Sequence, residues 1–311
     1  MTRVVLVFCL SLFFPVATSA DSKSDSSTIL FLSDYGLNDD SVAICKGAML
    51  RDAPTARIID ITHNVRKHSI LDGTRLLANT SIYFTPGTIF VVVIEPGVGG
   101  KYKSIVAKSK QGQYFVLPDN GIISMVAERD GLESVREITN KKWISNTPEN
   151  FTFHGRDIFC PVGAHLAQGG KFEDVGPVLS KPRMLNIPAV KETDHSVIGI
   201  ILGADGSFGN LVTNVTGLDF DKLSYSIGDN VRIKIGDKEF HVKFANNFNE
   251  VPKGTPLVYM NATGSLSFAV NHGNFAEKYG VSPPAKIEIY HKSKAIANVP
   301  LGTSDRAPSG N

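Results

Sequence analysis

The residues best suited to chemistry lie in one stretch, TFHGRDIF, at positions 152–159. His154, Gly155, Arg156 and Asp157 are consecutive, and phenylalanines flank them on both sides. A base, a cation and a carboxylate in an apolar setting that excludes water can have shifted pKa values and support proton transfer. The stretch also fits a turn that opens a helix, with Asp157 near the helix N-terminus and Arg156 in a surface ion pair. These residues alone leave both interpretations open.

Two further carboxylates follow predicted buried strands. The apolar run at 28–33 ends in Asp34, and the run TIFVVVI extends to Glu95. In open α/β sheets, ligands bind beyond the carboxyl ends of the strands, where a carboxylate often takes ribose hydroxyls. Each position also has a structural interpretation, since aspartate forms turns and the glycine-rich segment after Glu95 fits a plain loop. That segment is not a P-loop, because no GK[ST] follows it.

The hydrophobic pattern predicts two domains after the N-terminal segment. Residues 28–184 alternate apolar runs with helical periodicity, which predicts an α/β domain with a mostly parallel sheet. Residues 185–303 consist of short alternating strands and turns, which indicate a small β-barrel or sandwich. Pro182 and Pro188 fit the linker between the two.

Residues 1–20 have the order of a secretory signal peptide. Arg3 precedes an apolar run, and Ala17, Ser19 and Ala20 supply the small residues of a cleavage site. An uncleaved anchor is the alternative, but the run is short for a membrane span. Residues 21–27 form a polar spacer. We therefore expect a secreted or periplasmic protein that does not associate with a membrane after cleavage.

Charge and composition exclude one class of partner and suggest no bound metal. The net charge is +2, and no basic run is interleaved with aromatic residues, so we expect no nucleic-acid binding. No zinc-type spacing of cysteine or histidine occurs. We expect neither a metal nor a cofactor.

The loops taken together resemble one family. The segments SDYGLNDDSVA, ITHNV, EPGVGG, LPDNG, TFHGRDIF, DGSFGNLVTN and NATGSLSFAVN occur in this order. They resemble the S-adenosylmethionine (SAM) hydroxide adenosyltransferases, or SAM hydrolases, whose relatives include the fluorinases and chlorinases. The resemblance covers residues from about 28 to about 290.

This resemblance implies an architecture and a reaction. The family has an N-terminal α/β domain, a C-terminal β-barrel and a homotrimer whose active sites lie between one subunit's N-terminal domain and its neighbour's C-terminal domain. Hydroxide attacks the 5′ carbon of SAM, and adenosine and methionine are the products. SAM is thus the expected substrate rather than a cofactor.

The resemblance also assigns roles to individual residues. Asp34 matches the ribose-binding aspartate, and His68 falls where the halogenases carry a tryptophan. Asp205 and Asn210 match positions that hold the amino-acid portion of methionine. Gly155 stands where the fluorinases carry a halide-binding serine, and His154 where they carry a tyrosine, which favours water over halide. The expected substrate-binding residues are Asp34, His68, Phe153, Gly155, Asp205, Phe208, Asn210, Asn261 and Val270.

The catalytic set departs from the family pattern. The hydrolases carry an Asp-Arg-His triad, and here Glu95 stands for the aspartate and Tyr102 for the arginine, while His154 is retained. Lys101 or Lys103 is the candidate replacement for the missing charge, although lysine lacks the planar fork of arginine. The first hypothesis is therefore a SAM hydrolase, and the alternative is an exported SAM- or adenosine-binding protein with weak or lost catalysis. Halide chemistry is disfavoured by Gly155 and by the EPGVG loop.

Overall fold

The computed structural model describes residues 27–100, 102–145 and 152–292. The predicted signal peptide, spacer residues 21–26 and the candidate Lys101 lie outside the described residues. Within the described ranges, no helix has the length and apolar character needed to cross a membrane.

The N-terminal half is built on one mixed sheet. Its strands are β1 (Thr28–Ser33), β2 (Arg57–Thr62), β3 (Ile89–Val93), β4 (Ser104–Ser109), β5 (Tyr114–Pro118) and β6 (Leu132–Glu137). In the described chain their order is β2-β1-β3-β5-β4-β6. The first four strands in this order are parallel, and β4 runs antiparallel to both of its neighbours. Because helices cover both faces, β1 and β3 are continuous buried apolar runs.

Helices pack on each face of this sheet. They are α1 (Ser41–Asp52), α2 (Ile70–Ser81), α3 (Ser124–Asp130) and α4 (Cys160–Ala167). One face buries Met49 of α1 and Val162 of α4 in a common core. The other face buries Leu77 of α2 and Val126 of α3. The two cores thus cover both faces of the sheet.

The C-terminal half is a closed β-barrel. Its strands are β7 (Lys191–Glu192), β8 (Ser196–Asp205), β9 (Asn210–Thr216), β10 (Asn230–Ile235), β11 (Lys238–Phe244), β12 (Pro256–Met260), β13 (Ser265–Val270) and β14 (Ala285–Tyr290), and its short helices are α5 (Gly217–Asp221) and α6 (Phe275–Tyr279). Pairing of β14 with β8 closes the described strands into a ring, with β7 outside it. Val231, Ile233 and Ile235 alternate inward along β10, as a strand with one buried face requires.

The predicted fold class, an α/β domain followed by a small β-barrel, is confirmed, with two local differences. β3 ends at Val93 rather than at Glu95, because the Ile94 carbonyl accepts a hydrogen bond from the Asn120 side chain (2.8 Å). The second difference is β6, for which the sequence pattern predicts no strand; it lies at the edge of the sheet and pairs with β4 and, at Arg136, with Val178.

An ion cluster joins the two halves. The guanidinium of Arg75 on α2 donates to Asp72 on the same helix (2.9 Å) and to Asp205 at the end of β8 (2.9 Å). The Arg75 side chain is only 4% exposed. Gly203 makes this approach possible, since a Cβ there would lie 2.2 Å from the Asp72 carboxylate.

Candidate functional site

A cleft of about 320 Å³ opens at the carboxyl edge of the N-terminal sheet. It is lined by Asp34, Tyr35, Lys67, His68, Val93, Glu95, Val98, Thr152, Phe153 and His154. Asp34 follows β1 and Glu95 follows β3, and these parallel strands are neighbours. The predicted location, beyond the carboxyl ends of the strands, is therefore where the cleft lies.

His154 and Glu95 form a close pair in this cleft. Nδ1 of His154 lies 2.9 Å from Oε2 of Glu95. Both side chains are largely buried, at 11% and 3% exposure. His154 immediately precedes a π-helical turn, Gly155–Phe159, which continues into α4. Such turns are rare and often occur at functional sites.

Glu95 is fixed by the segments around it. The Asn120 amide bonds the carbonyl of Ile94, the residue just before Glu95. The side chain of Ile94 packs over Gly73 of α2, where a Cβ would meet it at 2.3 Å. The turn around Asn120, part of the LPDNG segment, thus holds the loop that carries the carboxylate.

The pair tunes the histidine as a proton acceptor. The hydrogen bond to Glu95 raises the pKa of His154 above its usual 6.5, and burial acts in the opposite direction. Because Nδ1 faces the carboxylate, Nε2 is the ring nitrogen left for a reacting group. A carboxylate that orients an imidazole in this way equips it as a general base.

We expect Glu95→Gln to lower the pKa of His154, because it removes the largest cause that raises it. In the native protein, protonation of His154 stabilises the fold below pH 6.5, and this contribution is lost as pH rises through the raised pKa. NMR titration of the His154 ring measures the pKa in both proteins. An unchanged midpoint in the Glu95→Gln variant would contradict the assignment of Glu95 as the partner.

Asp34 is held by the backbone of a neighbouring loop. Its Oδ2 accepts a hydrogen bond from the N–H of His68 (2.8 Å), and His68 has a left-handed backbone with φ +64°. Beneath it, the hydroxyl of Ser33 contacts Nδ1 of His63 (2.8 Å), and the His63 carbonyl accepts from Gly36 N–H (2.7 Å). These contacts fix the loop on both sides of Asp34.

A second cleft, of about 720 Å³, lies on the barrel. It is lined by Phe208, Asn210, Phe248, Asn249, Tyr259, Val270, Asn271, His272 and Gly273. Phe208 is 71% exposed, which is unusual for a phenylalanine. Among the described residues, none lines both clefts. The predicted residues that line a cleft thus form two separate groups in one chain.

Two predicted barrel residues lie outside these clefts. The side chain of Asn261 caps the turn between β12 and β13, accepting from the N–H groups of Thr263 (2.9 Å) and Ser265 (3.0 Å). Asn261 therefore holds a turn rather than facing the cleft. Asp205 is the residue paired with Arg75.

Of the residues at and beside the family arginine position, Tyr102 and Lys103 do not line the cleft. The ammonium of Lys103, the residue before β4, pairs with Glu137 at the end of β6. The guanidinium carbon of Arg183 lies over the ring of Tyr102, 5.4 Å from the ring centroid. Lys101 lies outside the described residues. Gly155 is buried behind Tyr35 and does not line the cleft.

Sequence reasoning missed several cleft residues. Tyr35 and Lys67 line the N-terminal cleft, and Tyr259 lines the second cleft. The motif around Asp34 was a usable signal for Tyr35, which is its direct neighbour, whereas no sequence pattern singled out Tyr259. Within the part of the chain that the structure describes, no group of three or more metal-ligating side chains is placed to hold a metal ion.

Comparisons with known proteins find relatives over most of the chain. A family model described as the SAM hydroxide adenosyltransferase N-terminal domain matches residues 29–176, and the corresponding C-terminal domain model matches residues 199–288. A protein from Salinispora arenicola named (R)-S-adenosyl-L-methionine hydrolase is 34% identical over 264 residues, covering 84% of this chain and 97% of the relative. A fluorinase from Actinoplanes sp. is 30% identical, and the match covers 84% of this chain and 96% of the fluorinase.

A solved structure is also similar. The crystal structure of an uncharacterized conserved protein from Thermotoga maritima matches with a TM-score of 0.79 and 41% sequence identity. The match covers 84% of this chain and 99% of that one.

Proposed function

The chain belongs to the SAM hydroxide adenosyltransferase family, and we propose that it hydrolyses SAM to adenosine and L-methionine. The observation that carries this function is the pairing of His154 with Glu95 at 2.9 Å inside the N-terminal cleft. The pair borders an open cleft rather than lying within either hydrophobic core, and this position suits removal of a proton from water.

The reaction places modest demands on the protein. Nε2 of His154 takes a proton from water, and the hydroxide attacks the 5′ carbon as the carbon–sulfur bond breaks. The electron pair goes to sulfur, so the positively charged sulfonium leaves as neutral methionine. Glu95 stabilises the imidazolium that forms. Alignment of nucleophile and carbon in a partly dry cleft supplies much of the remaining acceleration.

Labelled water tests the reaction directly. The protein is incubated with SAM in H₂¹⁸O, with and without chloride, and the products are analysed by mass spectrometry. We expect adenosine carrying one ¹⁸O, methionine without label, and no dependence on chloride. Saturable SAM binding without adenosine would instead establish the alternative, a binding protein, which the absence of the family arginine at Tyr102 favours.

Asp34→Ala should chiefly weaken SAM binding, because the carboxylate faces the cleft where ribose hydroxyls are expected. The loss of a charge-assisted hydrogen bond predicts a rise in KM of ~10-fold or more. Steady-state kinetics measure it, and Asp237→Ala is the control, since Asp237 is exposed in the turn between β10 and β11. Unchanged KM would remove Asp34 from the substrate site.

Among the described residues that line the cleft, Lys67 is the one lysine or arginine. We assign to it the electrostatic role that the arginine has in the family. Lys67→Gln should lower kcat, whereas the matched change Lys103→Gln should not, because the charge of Lys103 is already paired with Glu137. Kinetics at low and high salt compare the two variants. Equal losses would contradict this assignment.

The two separate clefts support a homotrimer in which one subunit's N-terminal cleft faces its neighbour's barrel cleft. Mixing subunits tests this arrangement. The two variants His154→Ala and Asn210→Ala, each expected to be inactive, are refolded together in equal amounts. Activity should recover to about a quarter of wild type, because about one interface in four then pairs an intact N-terminal cleft with an intact barrel cleft. No recovery in mixed oligomers would show that each site lies within one chain.

Export is proposed from residues 1–20 alone. Cleavage after Ala20 predicts a mature chain that begins at Asp21. Intact-mass measurement of the protein recovered outside the cytoplasm checks the site. Retention of the full N-terminus in a membrane fraction would support the anchor alternative.

A further inference from the structure

Two cysteines lie together behind the turn that carries His154, and the proposed reaction uses neither of them. Cys45 lies in the second turn of α1, and Cys160 is the first residue of α4. The two helices pack against each other. Both side chains are fully buried in the core on that face of the sheet, and both thiols are free in this structure.

The two thiols have the same neighbours. A Cβ on Gly155 would lie 3.2 Å from Sγ of Cys45, and the N–H of Cys160 donates to the Gly155 carbonyl. Burial raises the pKa of the Tyr35 hydroxyl, and the nearby thiols of Cys45 and Cys160 raise it further. Burial also raises the pKa of Cys160, and the adjacent Cys45 adds to this shift. The two sulfurs are therefore neighbours across the contact between α1 and α4.

The cellular compartment decides which state such a pair adopts. The sequence has three cysteines, and Cys9 lies in the predicted signal peptide, so a mature chain that begins at Asp21 retains only Cys45 and Cys160. Exported proteins meet oxidising conditions, under which disulfides form and persist. In a reducing compartment the same two residues would remain thiols and pack as small apolar side chains.

We propose that Cys45 and Cys160 form a disulfide in the exported protein and thereby join α1 to α4 behind the N-terminal cleft. This inference goes beyond the proposed reaction and rests on the proposed export. Helix α1 follows the loop that carries Asp34, and α4 follows the turn that carries His154. The disulfide therefore connects the two segments that bring these side chains to the cleft.

The bond forms by exchange with the disulfide of a small thiol or of an exported oxidoreductase. One cysteine thiolate attacks a sulfur of that disulfide and releases one thiol, and the second cysteine thiolate then displaces the other. The cysteine pair loses two electrons, the oxidant is reduced to two thiols, and the two protons pass to those thiols. Because burial disfavours the thiolates, the exchange takes place during folding, before α1 and α4 close over the pair.

Refolding tests the pairing separately from export. The mature protein is reduced in urea, refolded with reduced and oxidised glutathione, unfolded again with N-ethylmaleimide and measured by mass spectrometry. We expect no adduct without a second reduction and two maleimide adducts after it. Cys45→Ala should carry one adduct, of maleimide or of glutathione, at Cys160. Two adducts on the unreduced wild-type protein, or a disulfide-linked dimer, would overturn the proposal.

The same measurement applies if the N-terminal segment is retained, with Cys9→Ser removing the third thiol. Retention of the protein in the cytoplasm would refute export, whereas unpaired thiols after refolding would refute the disulfide. The two failures are therefore distinguishable.

Thermal stability tests the connection between the helices. Reduction should lower the Tm of the oxidised wild-type protein by several degrees, because a bond that closes a long loop restricts the unfolded chain. Cys45→Ala/Cys160→Ala is the control, and its Tm should be the same with and without reductant. Equal Tm values for the oxidised and reduced wild-type protein would overturn the proposed constraint on the two cleft segments.

Discussion

His154→Ala is expected to lower turnover of SAM by ~10²–10⁴-fold, the usual contribution of a positioned general base. The Kd for SAM should change little, because the predicted binding contacts come from other residues. The imidazole is held by Glu95 through Nδ1, so its loss removes the proton acceptor without removing the cleft. Single-turnover kinetics and calorimetry separate the two quantities.

Two further variants make this result specific. His154→Asn retains a donor near the Nδ1 position for Glu95 but lacks Nε2, so it should fold well and be as inactive as the alanine variant. His241→Ala, on the exposed side of β11, should keep the wild-type rate. Substantial turnover by His154→Asn would mean that the histidine has a structural role instead.

Arg75→Ala is expected to lower the free energy of unfolding by ~3–5 kcal/mol, the range for breaking a buried ion pair by removing one partner. The change leaves the carboxylate of Asp72, which is 9% exposed, without its cation. It also releases Asp205 at the end of β8 and with it the junction between sheet and barrel. Urea unfolding monitored by circular dichroism measures the loss.

An exposed ion pair provides the comparison. Arg232 bonds Glu239 through two nitrogens on the surface of the barrel, at 50% and 40% side-chain exposure. Because solvent screens this pair, Arg232→Ala should cost ~1 kcal/mol or less. If both arginine variants lost the same free energy of unfolding, burial would not explain the contribution of the Arg75 cluster to stability.

Local patterns account for much of the agreement between sequence and structure. Continuous apolar runs are characteristic of strands buried on both faces, and they located β1 and the start of β3. The rule for ligand sites at carboxyl strand ends then placed Asp34 and Glu95 at one edge. His154 came from its unusual neighbours, and the structure puts it in the same cleft.

The sequence by itself therefore determined the two folding classes, the family and the edge of the sheet where the cleft lies, because these follow from periodicity and from motifs within short segments. Tertiary structure decided the direction of individual side chains. Lys103 pairs with Glu137, and the Asn261 side chain bonds the backbone of its own turn. Packing of separate elements places Arg75 against Asp205 and Tyr35 against Gly155. Such contacts depend on how separate elements pack and on their register, which no short stretch of sequence specifies.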